Sequence, residues 1–371
     1  MRNKIITSVF CLLLAVGVLS GFLVPDKYYS ESEKRTLTQK DAISISDFFS
    51  GKMGTQIEKY LADQFPLRDG WITVKTLTER LSGKTEISDV YFGKDGYLID
   101  AFTDYNQKQF SANINALSKL SESLKAAGIP MQVMLVPTAA QILSDKLPAY
   151  APYLDQKALL DFAKTQGLDT VNVFDILSEH KDEYIYYKTD HHFTSLGAYY
   201  CYAAWMQAQG KTAQPLSAWQ SQELCNNFRG TTYNKVNYPF APYDTITAYY
   251  KTLTHTVKYN SGNYVTDSIY ERKYLSGKDQ YATFLNSNQS TTVVSGSGKG
   301  KLLILKDSYA NCFSQFVIDD YAETHFIDLR FYKDSVTDYI EENGITQVLV
   351  LYNIPNFAQD TAIGMMNISL C

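Results

Sequence analysis

Apolar residues occur along the chain in blocks whose spacing changes with position. Ile5 to Val24 is an apolar run without a charge, preceded by Arg2 and Lys4 and stopped by Pro25 and Asp26. About 20 such residues can span a bilayer as a helix, which is longer than the usual apolar core of a cleaved signal peptide. The basic end predicts a signal anchor over residues 1–25, with everything after Pro25 outside the cytoplasm. No clean A-x-A site follows, although cleavage near Ser20 to Phe22, releasing a secreted protein, stays open. Residues 26–83 are polar, with Phe48, Phe49, Ile57, Tyr60, Leu61 and Phe65 at mixed three- and four-residue spacings, and predict a helical lead-in.

From residue 84 to 371 the pattern is that of an α/β domain. Asp89 to Ile99 predicts two strands around a turn at Gly93 to Gly96. Helices are then expected over Phe110 to Ala127 and Leu154 to Gln166, closed by Gly128 and Gly167, from about Tyr309, and over Ser335 to Asn343 before Gly344. Between them lie short apolar blocks that read as buried strands: Met131 to Val136, Thr170 to Phe174, Lys301 to Leu305, His325 to Leu329 and Gln347 to Leu351. Continuous apolar strands separated by helices predict an α/β/α sandwich on a parallel central sheet. Residues 216–300 differ: Thr245 to Tyr250, His255 to Tyr259 and Tyr264 to Tyr270 alternate in strand fashion and predict a β-rich antiparallel insert.

Composition narrows the partners. The 371 residues are 45% hydrophobic and 20% charged, with a net charge of -5 and no basic block, which argues against nucleic acid. Tyrosine is abundant, at 29 residues against 19 Phe and 3 Trp. Rings that pack on one face and keep a hydroxyl suit a sugar ligand, and equally suit half-buried sheets. Tyr249, Tyr250, Tyr259, Tyr264, Tyr270 and Tyr274 are the concentrated set. Cys11, Cys201, Cys225, Cys312 and Cys371 have no paired spacing, so neither zinc nor a disulfide framework is read from them; buried thiols are expected, with a Cys201 to Cys225 bridge open.

Two segments carry candidate chemistry. Asp190-His191-His192-Phe193-Thr194 ends an extended stretch and opens a helix, with Thr194 as N-cap. In extended chain, residues two apart share a face, so the Asp190 carboxylate can hold the His192 ring while His191 points away. A neutral imidazole held by a carboxylate is a general base. Leu302-Leu-Ile-Leu-Lys306-Asp307-Ser308-Tyr309 delivers Ser308 from a buried strand to a helix start, where backbone N–H groups near Ser308 and Tyr309 can stabilise an oxyanion. Ser308, His192 and Asp190 together supply a nucleophilic triad. Each half has a plain alternative: a chance Asp-x-His pair, and a serine that is only a helix cap. A metal held by Asp190, His191 and His192 is the weaker reading, because His180, His255 and His325 stand isolated.

These residues resemble a known family. Asp190-His-His-Phe193 is similar to the signature of the DHHW protein family, relatives of the alginate O-acetyltransferase proteins AlgJ and AlgX with an SGNH-hydrolase-like fold. Ser32 to Leu37, Tyr60 to Arg68, Val90 to Leu98, Val136 to Thr138, Tyr281 to Asn288, Lys306 to Asn311, Ile327 to Arg330 and Leu351 to Phe357 look like family landmarks in family order. The resemblance implies an exported Ser-His-Asp acyltransferase, with Ser308, His192 and Asp190 in those roles. Asn288 and Asn353 are candidate oxyanion donors, as an asparagine is in SGNH enzymes, or else turn residues. Arg330 could orient a substrate carboxylate or pair with Asp328. Phe193 stands where the signature has Trp, and Lys306 where SGNH hydrolases generally have Gly, so the turn differs from that of an ordinary esterase.

The expected function is O-acyl transfer, most simply of acetyl, to hydroxyls of a cell-surface polysaccharide. The alternatives are a carbohydrate esterase with the same triad and a non-catalytic glycan-binding assembly factor. No bound cofactor is expected. Acetyl-CoA is cytoplasmic, so an exported transferase needs a membrane partner to pass the acyl group, and the resemblance suggests an MBOAT-type protein.

Overall fold

The computed structural model describes residues 4–8, 10–12, 15, 25–30, 35–40, 51–251 and 254–366. Most of the expected anchor, together with Phe48, Phe49 and Cys371, lies outside these. Among the described residues no helix is long and apolar enough to cross a membrane.

The chain divides into two units, residues 1–88 with 233–240, and residues 89–232 with 241–371. The first holds a short strand pair, Tyr29–Ser30 with Arg35–Thr36, and two helices, Met53–Gln64 and Arg68–Leu81. Pro66 and a left-handed Leu67 (φ 57°) separate the helices. The hydroxyl of Thr76 donates to the Val236 carbonyl (2.6 Å).

In the second unit, the elements that frame the site are α1 (Gln107–Ala126), β1 (Met131–Val136), α2 (Ser195–Ala208), β2 (Val257–Tyr259), β3 (Tyr264–Thr266), β4 (Thr291–Ser295), β5 (Lys301–Lys306), α3 (Tyr309–Val317), β6 (Glu323–Ile327), α4 (Val336–Asn343), β7 (Gln347–Asn353) and α5 (Ile354–Gln359). The strands form one sheet in the order β3-β2-β4-β6-β5-β7-β1. Strands β6, β5, β7 and β1 are parallel neighbours. Successive side chains of a strand face opposite sides, and β5 shows it: Leu302 and Ile304 join a core with Tyr202, Trp205 and Phe313 of α2 and α3, while Leu303 and Leu305 join one with Leu117, Ile340 and Phe357 of α1, α4 and α5. Helices thus cover both faces, which is why these strands read as continuous apolar runs.

The central sheet is mixed, not parallel as expected. Strands β2, β3 and β4 pair antiparallel at one edge. Only residues 260–263 link β2 to β3, and a parallel pairing needs a crossover of about a dozen residues. The predicted insert is accordingly split. Its first half, Gln220–Phe228 with Asp244–Tyr250, forms a separate two-stranded sheet, and its second half extends the main one.

Two further expectations shift. Thr170 to Phe174 is not a strand: Thr170 makes one bridge to Val133, and the Asn172 side chain then accepts from the Phe174 N–H and turns the chain into helix Phe174–Glu179. The strand expected at His325 to Leu329 lies at Glu323–Ile327, because buried Asp328 leaves the sheet to grip Arg330. Cys201, Cys225 and Cys312 are free thiols, so the Cys201 to Cys225 bridge is not formed.

Candidate active site

Strand β5 ends at Lys306, and Asp307 and Ser308 make the turn into α3. The N–H of Asp307 donates to the Leu351 carbonyl of β7 (3.2 Å). Its carboxylate accepts from the N–H of Tyr309 (2.9 Å), the N–H and side-chain amide of Asn353 (2.9 and 2.7 Å) and the Asn356 amide (3.0 Å). Ser308 is thereby fixed between two adjacent strand ends of the sheet. Ser308 occupies the N-cap position in helical conformation (φ -66°, ψ -17°), and its hydroxyl caps nothing. The plain reading of this serine as a helix cap is therefore wrong.

The hydroxyl instead meets His192, whose Nε2 lies 2.7 Å from Ser308 Oγ. On the other side of the ring, Nδ1 lies 2.5 Å from Asp190 Oδ1. A carboxylate can only accept, so Nδ1 carries the proton and Nε2 presents its lone pair to the serine; the tautomer is assigned from this network. Residues 185–194 form a tight loop closed by hydrogen bonds from Tyr187 N–H to His192 O and Thr194 N–H to Ile185 O. Thr194 then caps α2, accepting from the N–H of Gly197.

The loop is bent, not extended, and this corrects the expected geometry. Asp190 Oδ1 also accepts the backbone N–H of His192 (3.0 Å), closing an Asx-type turn. His191 consequently does not point away: its ring lies 3.8 Å from that of His192, and its Nδ1 lies 2.5 Å from the Thr231 hydroxyl. Asp190 Oδ2 accepts from Thr231 N–H (2.7 Å) and Thr231 Oγ1 (3.0 Å). Asp190, His191 and His192 each place a ligand atom within 4.8 Å of the others. Two ligands on one tetrahedral zinc would stand about 3.3 Å apart; at 2.5 Å, Asp190 and His192 are hydrogen-bonded to each other instead.

Several contributors were not singled out as site residues from the sequence. Tyr281 is buried, with its ring stacked on the imidazole of His192 (centroids 3.7 Å apart, planes at 10°) and its hydroxyl donating to the Ser308 carbonyl (3.1 Å). Buried Asp244 accepts from the N–H groups of Lys188 and Thr189 (both 2.8 Å), the Thr189 hydroxyl (2.6 Å) and Tyr184, anchoring the loop just ahead of Asp190. Burial pushes the Asp244 carboxyl above the usual range against these hydrogen bonds. Gly230 packs against Asp190 so closely that a Cβ there would sit 2.1 Å from Oδ2. Tyr281 lay within a family-like motif; Asp244 and Gly230 are distant in sequence and only the fold brings them in.

The remaining candidates separate. The N–H of Tyr309 is bound to Asp307, and its buried hydroxyl donates to the His191 carbonyl (2.5 Å), so neither faces a substrate. Asn353 is committed to Asp307 and, through Oδ1, to capping α5. Arg330 is paired with Asp328. Asn288 remains: half-buried, with Oδ1 accepting from Lys306 Nζ (3.0 Å). Of the tyrosine set, Tyr259 and Tyr270 are buried, so packing accounts for these two, while Tyr264 stacks on Tyr259 and stays exposed.

The fold and this hydrogen-bonded chain define an α/β protein in which a serine at a strand end meets a histidine and an aspartate from a loop. The chain belongs to the DHHW family, whose model, described as DHHW protein, matches residues 82–327. A DHHW family protein from Eubacterium siraeum is similar in structure, with TM-score 0.65 and 25% identity over 77% of this chain and 98% of that one. PatB1 of Bacillus cereus aligns with TM-score 0.60 and 21% identity over 72% of this chain and 97% of that one. A second structure of PatB1, bearing a sulfonyl adduct, aligns with TM-score 0.59. No curated protein matches the chain.

Proposed function

We propose that this protein is an extracytoplasmic SGNH-like O-acyltransferase that moves acetyl groups to hydroxyls of a cell-surface polysaccharide. The observation that carries the reading is the continuous line from the Asp190 carboxylate through His192 to an uncapped Ser308 hydroxyl. His192 takes the Ser308 proton as Oγ attacks the acyl carbonyl, then gives it to the departing oxygen, leaving an acetyl ester on Ser308. A sugar hydroxyl next gives its proton to His192 and attacks that ester, and the same proton returns to Ser308. Asp190 holds the ring in the required tautomer and stabilises the imidazolium. With the Tyr309 N–H withdrawn, the Ser308 N–H and the Asn288 amide are the oxyanion donors of this reading. An oxyanion donor contributes about 3–4 kcal/mol in sites of this kind.

The acyl group would arrive through an MBOAT-type membrane partner, and the apolar N-terminal run would keep the chain at that membrane. The test is purified protein with a chromogenic acetyl ester and an acetylatable oligosaccharide. Release and transfer are both expected from the wild type and absent from Ser308→Ala. Retention of either by that variant sinks the assignment, and release without transfer points to an esterase. The sulfonyl adduct described for PatB1 makes a sulfonyl fluoride a suitable second probe.

A further inference from the structure

Lys306 is 1% exposed, and among the described residues its ammonium touches no carboxylate. Its contacts are two amide oxygens, Asn288 Oδ1 (3.0 Å) and Asn311 Oδ1 (2.7 Å). Burying an ammonium without an ionic partner is costly, and it stands two residues from Ser308. We infer that Lys306 is a positioning residue of the Ser308 site, holding Asn288 by its carbonyl oxygen so that the amide NH2 is presented as oxyanion donor. The inference rests on the acyl-transfer reading of Ser308.

Three features carry it. An amide whose oxygen accepts from a cation cannot flip without turning N–H groups toward that cation, so Asn288 has one orientation. The same contact polarises the amide and strengthens its N–H as a donor. The segment leading to Asn288 is also held in an unusual shape: Leu285, Asn286 and Ser287 are consecutive non-glycine residues with φ of 54°, 53° and 66°. Such conformations cost energy and persist where the surroundings over-determine them. Here the Leu285 N–H donates to Ile269 O (2.8 Å), the Ser287 N–H to Ala282 O (3.1 Å) and the Tyr274 hydroxyl to Asn286 Oδ1 (2.9 Å).

The charges bearing on Lys306 are Asp328, already paired with Arg330, then Arg330 itself, and Asp307, whose carboxylate is taken by backbone and amide donors. They do not offset desolvation, which lowers Lys306 to about 8. The positive charge, and with it the ionic strengthening of the grip on Asn288, is therefore lost as pH rises through about 8, leaving a neutral amine as a weaker donor.

The experiment compares wild type, Lys306→Met, Asn288→Ala and the double variant on a chromogenic acetyl ester between pH 6 and 10, each checked for folding by circular dichroism. For Lys306→Met, kcat is expected to fall about 10- to 100-fold with KM within about threefold. The wild-type fall in kcat/KM on passing about pH 8 should be missing from that variant. The double variant should be no worse than Asn288→Ala alone, because both substitutions remove one unit. Wild-type kcat in a folded Lys306→Met protein overturns the inference, as do losses that multiply in the double variant. If Lys306→Met does not fold, full kcat in Asn288→Ala or a flat wild-type profile through pH 9 overturns it. An active Ser308→Ala protein would instead remove the underlying reading.

Discussion

Replacing Gly230 by alanine tests the geometry of the site while leaving Ser308, His192 and Asp190 themselves unsubstituted. The added methyl would lie 2.1 Å from Asp190 Oδ2, 2.3 Å from its Cβ and 2.5 Å from its Cγ. Carbon atoms rest about 3.5–4.0 Å apart, so the overlap exceeds roughly 1 Å against three atoms of one side chain. Asp190 cannot give way freely, since it accepts from the His192 N–H, His192 Nδ1, and the N–H and hydroxyl of Thr231. Any relief therefore moves the carboxylate off the imidazole. A displacement of about 1 Å in a positioning group costs on the order of 10²-fold in rate, and loss of the aspartate's role in a serine triad about 10⁴-fold. Gly230→Ala is accordingly expected to lose between about 10²- and 10⁴-fold in kcat, with overpacking costing about 1–3 kcal/mol of stability. Steady-state ester hydrolysis, with thermal unfolding of the same sample, reads both. Gly277→Ala is the control, because its Cβ would meet only the Tyr274 carbonyl at an ordinary 3.5 Å. A folded Gly230→Ala protein with wild-type kcat would refute the reasoning.

Other substitutions probe the surroundings. Tyr281→Phe keeps the stack on His192 and loses the bond to the Ser308 carbonyl, so a loss of a few-fold in kcat is expected, whereas Tyr281→Leu, which removes both, should lose about tenfold or more; equal rates for the two would show that the stacking is idle. Asp244→Ala leaves the N–H groups of Lys188 and Thr189 and the Tyr184 hydroxyl without their acceptor, and about 3–5 kcal/mol of stability should be missing in urea titration. The stability difference between Lys306→Met and wild type should depend on pH. The lysine is lowered from 10.5 to about 8, so its folded state carries a penalty of about 3 kcal/mol below pH 8 that is relieved as pH rises toward 10.5. Wild type should therefore gain in Tm relative to the variant across that window, and a difference that stays flat or moves the other way would contradict the sign.

Local pattern made much of the framework legible. The parallel strands β1, β5 and β7 and helices α1 and α4 follow from apolar blocks and from glycines just past the helix ends, Gly128 and Gly344 having φ of 72° and 62°. Strands β2 and β3 misled because alternation marks a half-buried strand without saying which sheet it joins, and β4 was not foreseen. The chemistry divided in the same way. Ser308 and His192 were legible because a strand-to-helix junction and an Asp-x-His segment are local features. His191 was placed on the wrong side because an Asx turn, set by one hydrogen bond, overrides extended geometry. Tyr309 and Asn353 lost their expected roles to Asp307, whose demand for donors arises only when β5 and β7 lie side by side. Asp244 and Gly230 have no periodicity to reveal them, since their importance lies wholly in what they touch.

The account's central claim is that Ser308 carries the acyl group. Brief incubation with an activated acetyl ester, acid quench and peptide mass spectrometry should find one added acetyl group on the peptide containing Ser308, absent from Ser308→Ala and from His192→Ala. Acetylation elsewhere, or turnover with Ser308 unmodified at every quench time, would contradict it.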